Sequence, residues 1–191
     1  MKSKTEEILS NSKNILIGSE AIRNRIRELA QTISQDYCGK IPVFIGVLNG
    51  SFLFFADLIR ELTIDCEVDF VKISSYGNST KSSGKIKILK GLDCDIRGRD
   101  VIVVEDIIDS GLSVNFLRKW IGEHKPGSLR FVSLLIKEGA AEVSYECEYV
   151  GFRIPNKFVV GYGLDYAQLY RNLPGIYIMN SVPEHSEKKE R

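Results

Sequence analysis

The chain lacks the sequence features that are typical of proteins that insert into a membrane or bind nucleic acid. Lys and Arg number 26 against 25 Asp and Glu, which leaves a formal net charge of +1. Such a balance gives no global attraction to nucleic acid or to an anionic lipid surface. No apolar run approaches the length of a membrane span, and the Lys-rich first residues lack the apolar core of a signal peptide. We therefore expect no membrane partner and no nucleic-acid partner.

Histidine and cysteine are also scarce. The chain has two histidines and four cysteines, and the cysteines (38, 66, 94 and 147) form no C-x-x-C motif and have no histidine nearby. This spacing argues against a zinc site. It predicts reduced thiols in a cytoplasmic protein. With 191 residues and no internal repeat or linker, the sequence predicts one domain with a substantial core.

The most informative stretch spans residues 101–113. Four apolar residues open it, which is typical of a strand buried on both faces in a parallel sheet. Glu105 and Asp106 follow directly, and Asp109 comes three residues later in a turn that continues Ser-Gly-Leu-Ser to residue 113. From residue 114 to residue 121, apolar residues recur with helical spacing. The predicted unit is a strand, an acidic edge, a hydroxyl-rich turn and the start of a helix.

This unit suits a phosphorylated ribose. The N-terminus of a helix offers unpaired N–H groups and a positive dipole end to a phosphate, and Gly111 lets the backbone approach it. The neighbouring carboxylates would repel a phosphate, but they suit sugar hydroxyls or a divalent cation. The alternative is a solvated acidic turn after an ordinary core strand.

Three other stretches contribute to the prediction. The buried strand 42–48 runs into Asn49, Gly50 and Ser51 before a helix, which predicts a second anion site. Apolar and acidic residues alternate over 64–70, which predicts a half-exposed strand. Residues 74–85 hold five serines and two glycines, and so predict a mobile lid, with an exposed hairpin tip as the alternative. Lys137 ends a buried strand, where a solvated terminus is the ordinary interpretation.

The 101–113 stretch resembles the phosphoribosyl diphosphate (PRPP) signature of the type I phosphoribosyltransferases: a hydrophobic run, an acidic pair, two apolar residues and Asp-Ser-Gly. Residues 150–166 are similar to the 6-oxopurine branch of that family, the hypoxanthine-guanine type. The resemblance covers about residues 14–180. It implies an α/β fold with a mainly parallel sheet flanked by helices and a small hood made by the chain ends.

The resemblance also implies an organisation and an activity. One domain spans 1–191, with a core at about 36–150, a hood at about 14–20 and 151–182, and a disordered tail at 184–191. The implied enzyme serves purine salvage in the cytoplasm. It transfers the 5-phosphoribosyl group from PRPP to hypoxanthine or guanine, giving IMP or GMP and pyrophosphate. Mg²⁺ is the implied cofactor, and a homodimer or homotetramer is the implied assembly.

By the same resemblance, individual residues take roles. The carboxylates of the ribose and PRPP site are Glu105 and Asp106, and the 5′-phosphate turn consists of Asp109, Ser110, Gly111, Leu112 and Ser113. Asp109 is also the candidate general base near purine N7. The pyrophosphate side is assigned to Leu48, Asn49, Gly50 and Arg171, and the lid pair to Ser75 and Tyr76. The purine site is assigned to Lys137, Phe158, Val159 and Asp165, and the metal to Glu105, Asp106 and Asp165.

Two departures and two alternatives remain at this point. Many members of the family carry Lys or Arg at the position of Asn49, and basic residues often follow the position of Lys137, where this chain has Glu138-Gly139-Ala140-Ala141. One alternative function is a PRPP-binding regulator of RNA or DNA on the same fold. The neutral charge and the lack of a recognisable nucleic-acid motif argue against it. The other is an α/β enzyme with an acidic metal site that does not use PRPP, which would leave the Asp-Ser-Gly turn and Lys137 unexplained.

Overall fold

The computed structural model describes residues 14–76, 85–139 and 147–179. Within these ranges the chain forms three helices and nine strands. The helices are α1 (Ser19–Asp36), α2 (Phe52–Glu61) and α3 (Leu112–Gly122). The strands are β1 (Ile15–Ile17), β2 (Val43–Leu48), β3 (Glu67–Tyr76), β4 (Lys85–Lys90), β5 (Asp100–Ile108), β6 (Ser128–Lys137), β7 (Tyr149–Ile154), β8 (Val159–Val160) and β9 (Ile176–Ile178). None of the described helices combines the length and the apolar character that a membrane crossing requires.

Six strands form the central sheet, in the order β4-β3-β2-β5-β6-β7. All neighbours pair in parallel except β3 and β4, which pair antiparallel. Residues 101–104 of β5 are completely buried. One apolar core joins the sheet to α1 and α2, and a second joins it to α3. The predicted α/β fold, a mainly parallel sheet flanked by helices, is confirmed.

A second, antiparallel sheet has the order β1-β9-β8. It joins the first described strand of the chain to the last two, with Ile15 opposite Tyr177 and Val159 opposite Ile178. This small sheet is where the resemblance places the hood. Strand β7 pairs with β6 and so belongs to the central sheet up to Ile154. The predicted domain boundaries stay predictions, and the predicted tail at 184–191 lies outside the described residues.

One sequence pattern is reversed in the structure. In β3, Val68 is 51% exposed whereas Asp69 is only 6% exposed. Asp69 accepts hydrogen bonds from the backbone N–H groups of Phe70, Asp93 and Cys94, and it pairs with Lys90. Burial raises the pKa of this carboxyl, but the hydrogen bonds outweigh it and lower the pKa to about 2. The alternating pattern therefore predicted the wrong exposure for Val68 and Asp69. Contacts with residues later in the chain hold the Asp69 carboxylate inside the protein.

The topology places a crevice at one edge of the sheet. From β2 the chain continues to β3 and β4 on one side, and it then crosses to β5 on the other side of β2. In open α/β sheets, ligands bind outside the carboxyl ends of strands at such a switch point. The carboxyl ends of β2 and β5 carry the turns 49–51 and 109–111.

Candidate functional site

The turn after β2 lies against the acidic end of β5. The Ser51 hydroxyl is buried and donates a hydrogen bond of 2.6 Å to the carbonyl of Val47, which closes the turn before α2. The Leu48–Asn49 peptide bond is cis. A Cβ on Gly50 would overlap the Asp106 carboxylate. Only glycine therefore fits at position 50, and its backbone comes into direct contact with the carboxylate of Asp106.

The turn after β5 leads into α3. Gly111 has φ +76°, a left-handed conformation that glycine adopts without strain, and no side chain of the described residues caps the helix. The first N–H groups of α3 therefore receive no hydrogen bond from an N-cap side chain. A cavity of about 290 Å³ opens there. Its lining includes Leu48, Gly50, Glu105, Asp106, Asp109, Ser110, Gly111 and Ser113 but not Leu112.

The two acidic residues at the end of β5 both have raised pKa values. Glu105 is 5% exposed, and its Oε1 atom has no hydrogen-bond partner among the described residues. Burial, with a smaller effect of the Asp106 carboxylate, raises the pKa of Glu105 well above its ordinary value. Burial likewise raises the pKa of Asp106 to about 6, although nearby backbone N–H groups and Arg171 act in the opposite direction. Both carboxyls are suited to hydroxyl donors or to a cation from a ligand.

A second cavity, of about 310 Å³, adjoins the first. Asp106, Asp109, Gly50 and Ile107 line both cavities, so the two form one cleft with two compartments. The second compartment also contains Asn49, Lys137, Phe158, Val159, Leu164, Asp165 and Arg171. The structure thus brings the predicted purine residues together with Asn49, Gly50 and Arg171 beside the predicted phosphate turn, whereas Leu48 lines only the first compartment.

Lys137 and Asp109 form an ion pair across this cleft. The Lys137 Nζ lies 2.7 Å from Asp109 Oδ2, and the two side chains are 11% and 61% exposed. Nearby, the ring of Phe158 is 40% exposed and packs edge to face on Tyr166, with 5.9 Å between ring centroids. A cation, a carboxylate and an accessible aromatic ring therefore stand in one compartment.

Arg171 lines the same compartment and is fixed by three contacts. Its Nη1 donates to the carbonyl of Gly163 at 2.7 Å, and its Nη2 contacts Asp165 Oδ1 at 2.7 Å and Gln168 Oε1 at 3.2 Å. Gly163 has φ +97°, and a Cβ there would overlap the carbonyl oxygen of Gly50. The segment that carries Arg171 therefore packs directly on the turn after β2.

The predicted metal residues are only partly brought together. Asp106 and Asp165 line the same compartment, whereas Glu105 lines only the other one. Within residues 14–76, 85–139 and 147–179, no three His, Cys, Asp or Glu residues are grouped closely enough to hold an ion. Mg²⁺ is usually bound by one or two carboxylates together with substrate phosphates and water. The Asp106 and Asp165 pair fits a site of that kind, which the substrate completes.

The structure adds residues that the sequence did not single out. Ile107 lines both compartments, and Val47, Ile73, Val114 and Leu164 line one or the other. The only signal for Ile107 was its place between two acids. Of the predicted lid, Ser75 and Tyr76 end β3 and lie opposite Ile86 and Lys85 in β4. Residues 77–84 fall outside the described residues, so the lid stays a prediction.

Comparison with known proteins gives consistent matches. A family model described as a phosphoribosyl transferase domain matches residues 13–167. A bifunctional TilS/HprT protein of Listeria innocua is 44% identical over 91% of this chain, but the match covers 27% of that protein. The chain thus spans about a quarter of the length of that relative. The hypoxanthine-guanine phosphoribosyltransferase of Bacillus subtilis is 44% identical over 87% of this chain and 93% of its own. A crystal structure of a hypoxanthine-guanine phosphoribosyltransferase from Bacillus anthracis, 49% identical, superposes with a TM-score of 0.83 over 87% of this chain and 98% of its own.

Proposed function

This chain belongs to the phosphoribosyltransferase family, and on that premise we propose that it transfers the 5-phosphoribosyl group of PRPP to hypoxanthine or guanine, forming IMP or GMP and pyrophosphate in purine salvage. The observation that carries the proposal is the Lys137–Asp109 pair. It stands in one compartment with Phe158 and Arg171 and directly beside the turn 109–113.

The pair matches one edge of a 6-oxopurine. Such a base presents an acceptor oxygen at C6 next to the ring nitrogen N7. An ammonium has only donors and a carboxylate only acceptors, so Lys137 pairs with O6 and Asp109 with a proton on N7. Adenine carries an amino donor at C6, which cannot accept from Lys137. The exposed ring of Phe158 offers a stacking face for the base, and the Val159 backbone offers contacts along its edge.

The reaction breaks one bond and forms one. The bond from the anomeric carbon of the sugar to the pyrophosphate oxygen breaks, the bond from that carbon to purine N9 forms, and the N7 proton passes to Asp109. Glu105 and Asp106 accept hydrogen bonds from the ribose hydroxyls. The N–H groups and hydroxyls of the turn 109–113 hold the 5′-phosphate. On the other side, the turn at Leu48, Asn49 and Gly50, together with Arg171, stabilises the charge that develops on the pyrophosphate.

Mg²⁺ is the cofactor that these residues would suit. Asp106 and Asp165 are the carboxylates that would hold it. When bound with PRPP, the ion would neutralise charge on the leaving pyrophosphate. Ser75 and Tyr76 are the lid residues of the proposal, and a closed lid keeps water away from the reactive sugar. The homodimer or homotetramer and the cytoplasmic location implied by the resemblance belong to the same proposal.

A panel of bases tests the proposal. Purified protein is incubated with PRPP and Mg²⁺ and with hypoxanthine, guanine, xanthine or adenine, and nucleotide and pyrophosphate are measured. We expect equal amounts of nucleotide and pyrophosphate with hypoxanthine or guanine and little product with adenine. Absence of transfer to any 6-oxopurine would refute the proposal. A parallel assay of RNA and DNA binding, with and without PRPP, would then detect the alternative regulator.

A further inference from the structure

Tyr162 lies outside both compartments and forms a hydrogen bond with α2, the helix that follows the turn 49–51. The Tyr162 hydroxyl donates a hydrogen bond of 2.6 Å to Asp57 Oδ2, which lies on α2. The Tyr162 side chain is buried, at 8% exposed. Burial, followed by the hydrogen bond to Asp57, raises the pKa of Tyr162, so the hydroxyl keeps its proton and stays a donor. A bond from a hydroxyl to a carboxylate is roughly twice as strong as one between neutral groups.

The backbone at this tyrosine needs such support. Tyr162 has φ +48°, and its neighbours Gly161 and Gly163 have φ +100° and +97°. Left-handed backbone is unfavourable for a residue with a Cβ and persists only where the surroundings determine it. The hydrogen bond of its own N–H to the carbonyl of Leu173, at 2.9 Å, is one such contact. The hydroxyl bond to Asp57 is a polar contact that connects the segment to α2.

Gly163, the residue after Tyr162, connects this segment to the cleft. Gly163 packs so closely on the carbonyl oxygen of Gly50 that no Cβ would fit between them. The N–H of Gly163 donates to the carbonyl of Arg171 at 2.9 Å, and its own carbonyl accepts from the guanidinium of Arg171 at 2.7 Å. The segment 161–165 therefore sets the position of Arg171 relative to the turn that contains Gly50.

We infer that Tyr162 is a positioning residue for the pyrophosphate half of the cleft. Its bond to Asp57 ties the segment 161–165 to α2, and this keeps Gly163 against Gly50 and Arg171 facing the leaving group. Tyr162 lines neither compartment and touches no reacting group. The inference rests on the proposed function, because that function defines which residues of the cleft bind pyrophosphate.

The test compares two ligands that contain pyrophosphate with one that does not. Tyr162→Phe removes only the hydroxyl, and calorimetry then measures the Kd of pyrophosphate and of PRPP, each with Mg²⁺, and the Kd of IMP. We expect pyrophosphate and PRPP to bind about tenfold more weakly, a change of about 1.4 kcal/mol, with the Kd of IMP changed less than about twofold. Tyr177→Phe is the control, because it removes the hydroxyl of a different buried tyrosine, which lies in β9 of the small sheet. It should change none of the three Kd values.

Substitutions at Asp57 test whether loss of the Tyr162–Asp57 hydrogen bond itself weakens the binding of pyrophosphate and PRPP. Asp57→Ala should reproduce the effect of Tyr162→Phe, and Asp57→Asn, which keeps a neutral acceptor, should have a smaller effect. In the double variant the two losses should not add, because both remove the same interaction. The Asp57 variants keep the test decisive if Tyr162→Phe folds poorly.

Three results would overturn the inference: unchanged pyrophosphate affinity in Tyr162→Phe, an equal loss for IMP, or additive losses in the double variant. An equal loss for IMP would mean general loosening of the fold. If the wild type binds these ligands but transfers no phosphoribosyl group, the proposed reaction fails and the positioning inference still stands on its own binding data.

Discussion

Replacement of Lys137 by Met gives the sharpest test of base recognition. Met keeps the length and the apolar stem of the side chain and removes all three donors. In the structure the ammonium of Lys137 is 2.7 Å from Asp109 and the side chain is 11% exposed, so water does not readily replace the lost donor. The change removes the charged partner of O6 and leaves the shape of the compartment nearly intact.

The Lys137→Met change should have a large effect on kcat/KM and a small effect on folding stability. A hydrogen bond from a charged group contributes about 1.5–3 kcal/mol, which corresponds to about 10- to 150-fold in kcat/KM for hypoxanthine. Adenine has no acceptor at C6, so its low activity should change little, and the preference for hypoxanthine over adenine should fall by the same factor. For folding, the lost ion pair matters less, because Asp109 is 61% exposed and such pairs contribute at most about 1 kcal/mol.

The assay is steady-state kinetics at saturating PRPP, with hypoxanthine and adenine as alternative bases and urea unfolding as the check on stability. Lys119→Met is the matched control, since Lys119 is an exposed lysine of α3. It should leave both bases unaffected. If Lys137→Met uses hypoxanthine as well as the wild type does, Lys137 plays no part in base recognition, and base selection has to come from elsewhere.

Three further changes test other parts of the site and the fold. Asp109→Asn should lower kcat by about 10²–10⁴-fold while calorimetry shows PRPP affinity largely retained; near-normal turnover would exclude the base role. Gly50→Ala should weaken PRPP binding by about 5- to 150-fold, because overpacking costs about 1–3 kcal/mol and the new Cβ overlaps Asp106; unchanged affinity would contradict this contact. Asp69→Asn should lower the free energy of unfolding by about 2 kcal/mol at pH 7, since the folded pKa of about 2 lies below the unfolded value; the difference should shrink as pH falls from about 4 to 2, and urea unfolding that shows none at pH 7 would count against the network.

The central fold could be predicted because its signals are local. The unbroken apolar run at 101–104 and the helical spacing of the apolar residues from 114 to 121 each reflect burial on faces that a short segment defines by itself. The acids and the turn at 105–113 are also contiguous in the sequence, so their grouping required no tertiary information. Their individual roles still rest on resemblance and remain predictions.

What the sequence did not reveal depends on contacts between distant segments. Tyr162 and Asp57 are 105 positions apart, and Lys137 and Asp109 are 28 apart. The close approach of Gly50 to Asp106 becomes visible only when β2 and β5 are placed side by side. Asp69 is buried because Asp93, Cys94 and Lys90 come to it from a later part of the chain. No periodicity within a single segment encodes these pairs.

The position of Asp106 links the stability of the protein to its proposed ligand. Its folded pKa of about 6 lies above the ordinary value, so between about pH 4 and pH 6 the folded chain holds more protons than the unfolded chain. Stability from this group therefore falls as pH rises through that window, and at neutral pH the fold contains a carboxylate that burial disfavours. A ligand that brings hydroxyl donors and a cation to Asp106 relieves that penalty, and it can reach this carboxylate from either compartment because Asp106 lines both. PRPP has a phosphate at one end, a pyrophosphate at the other and a diol between them, so it carries hydroxyl donors for Asp106 that free phosphate and a free base lack.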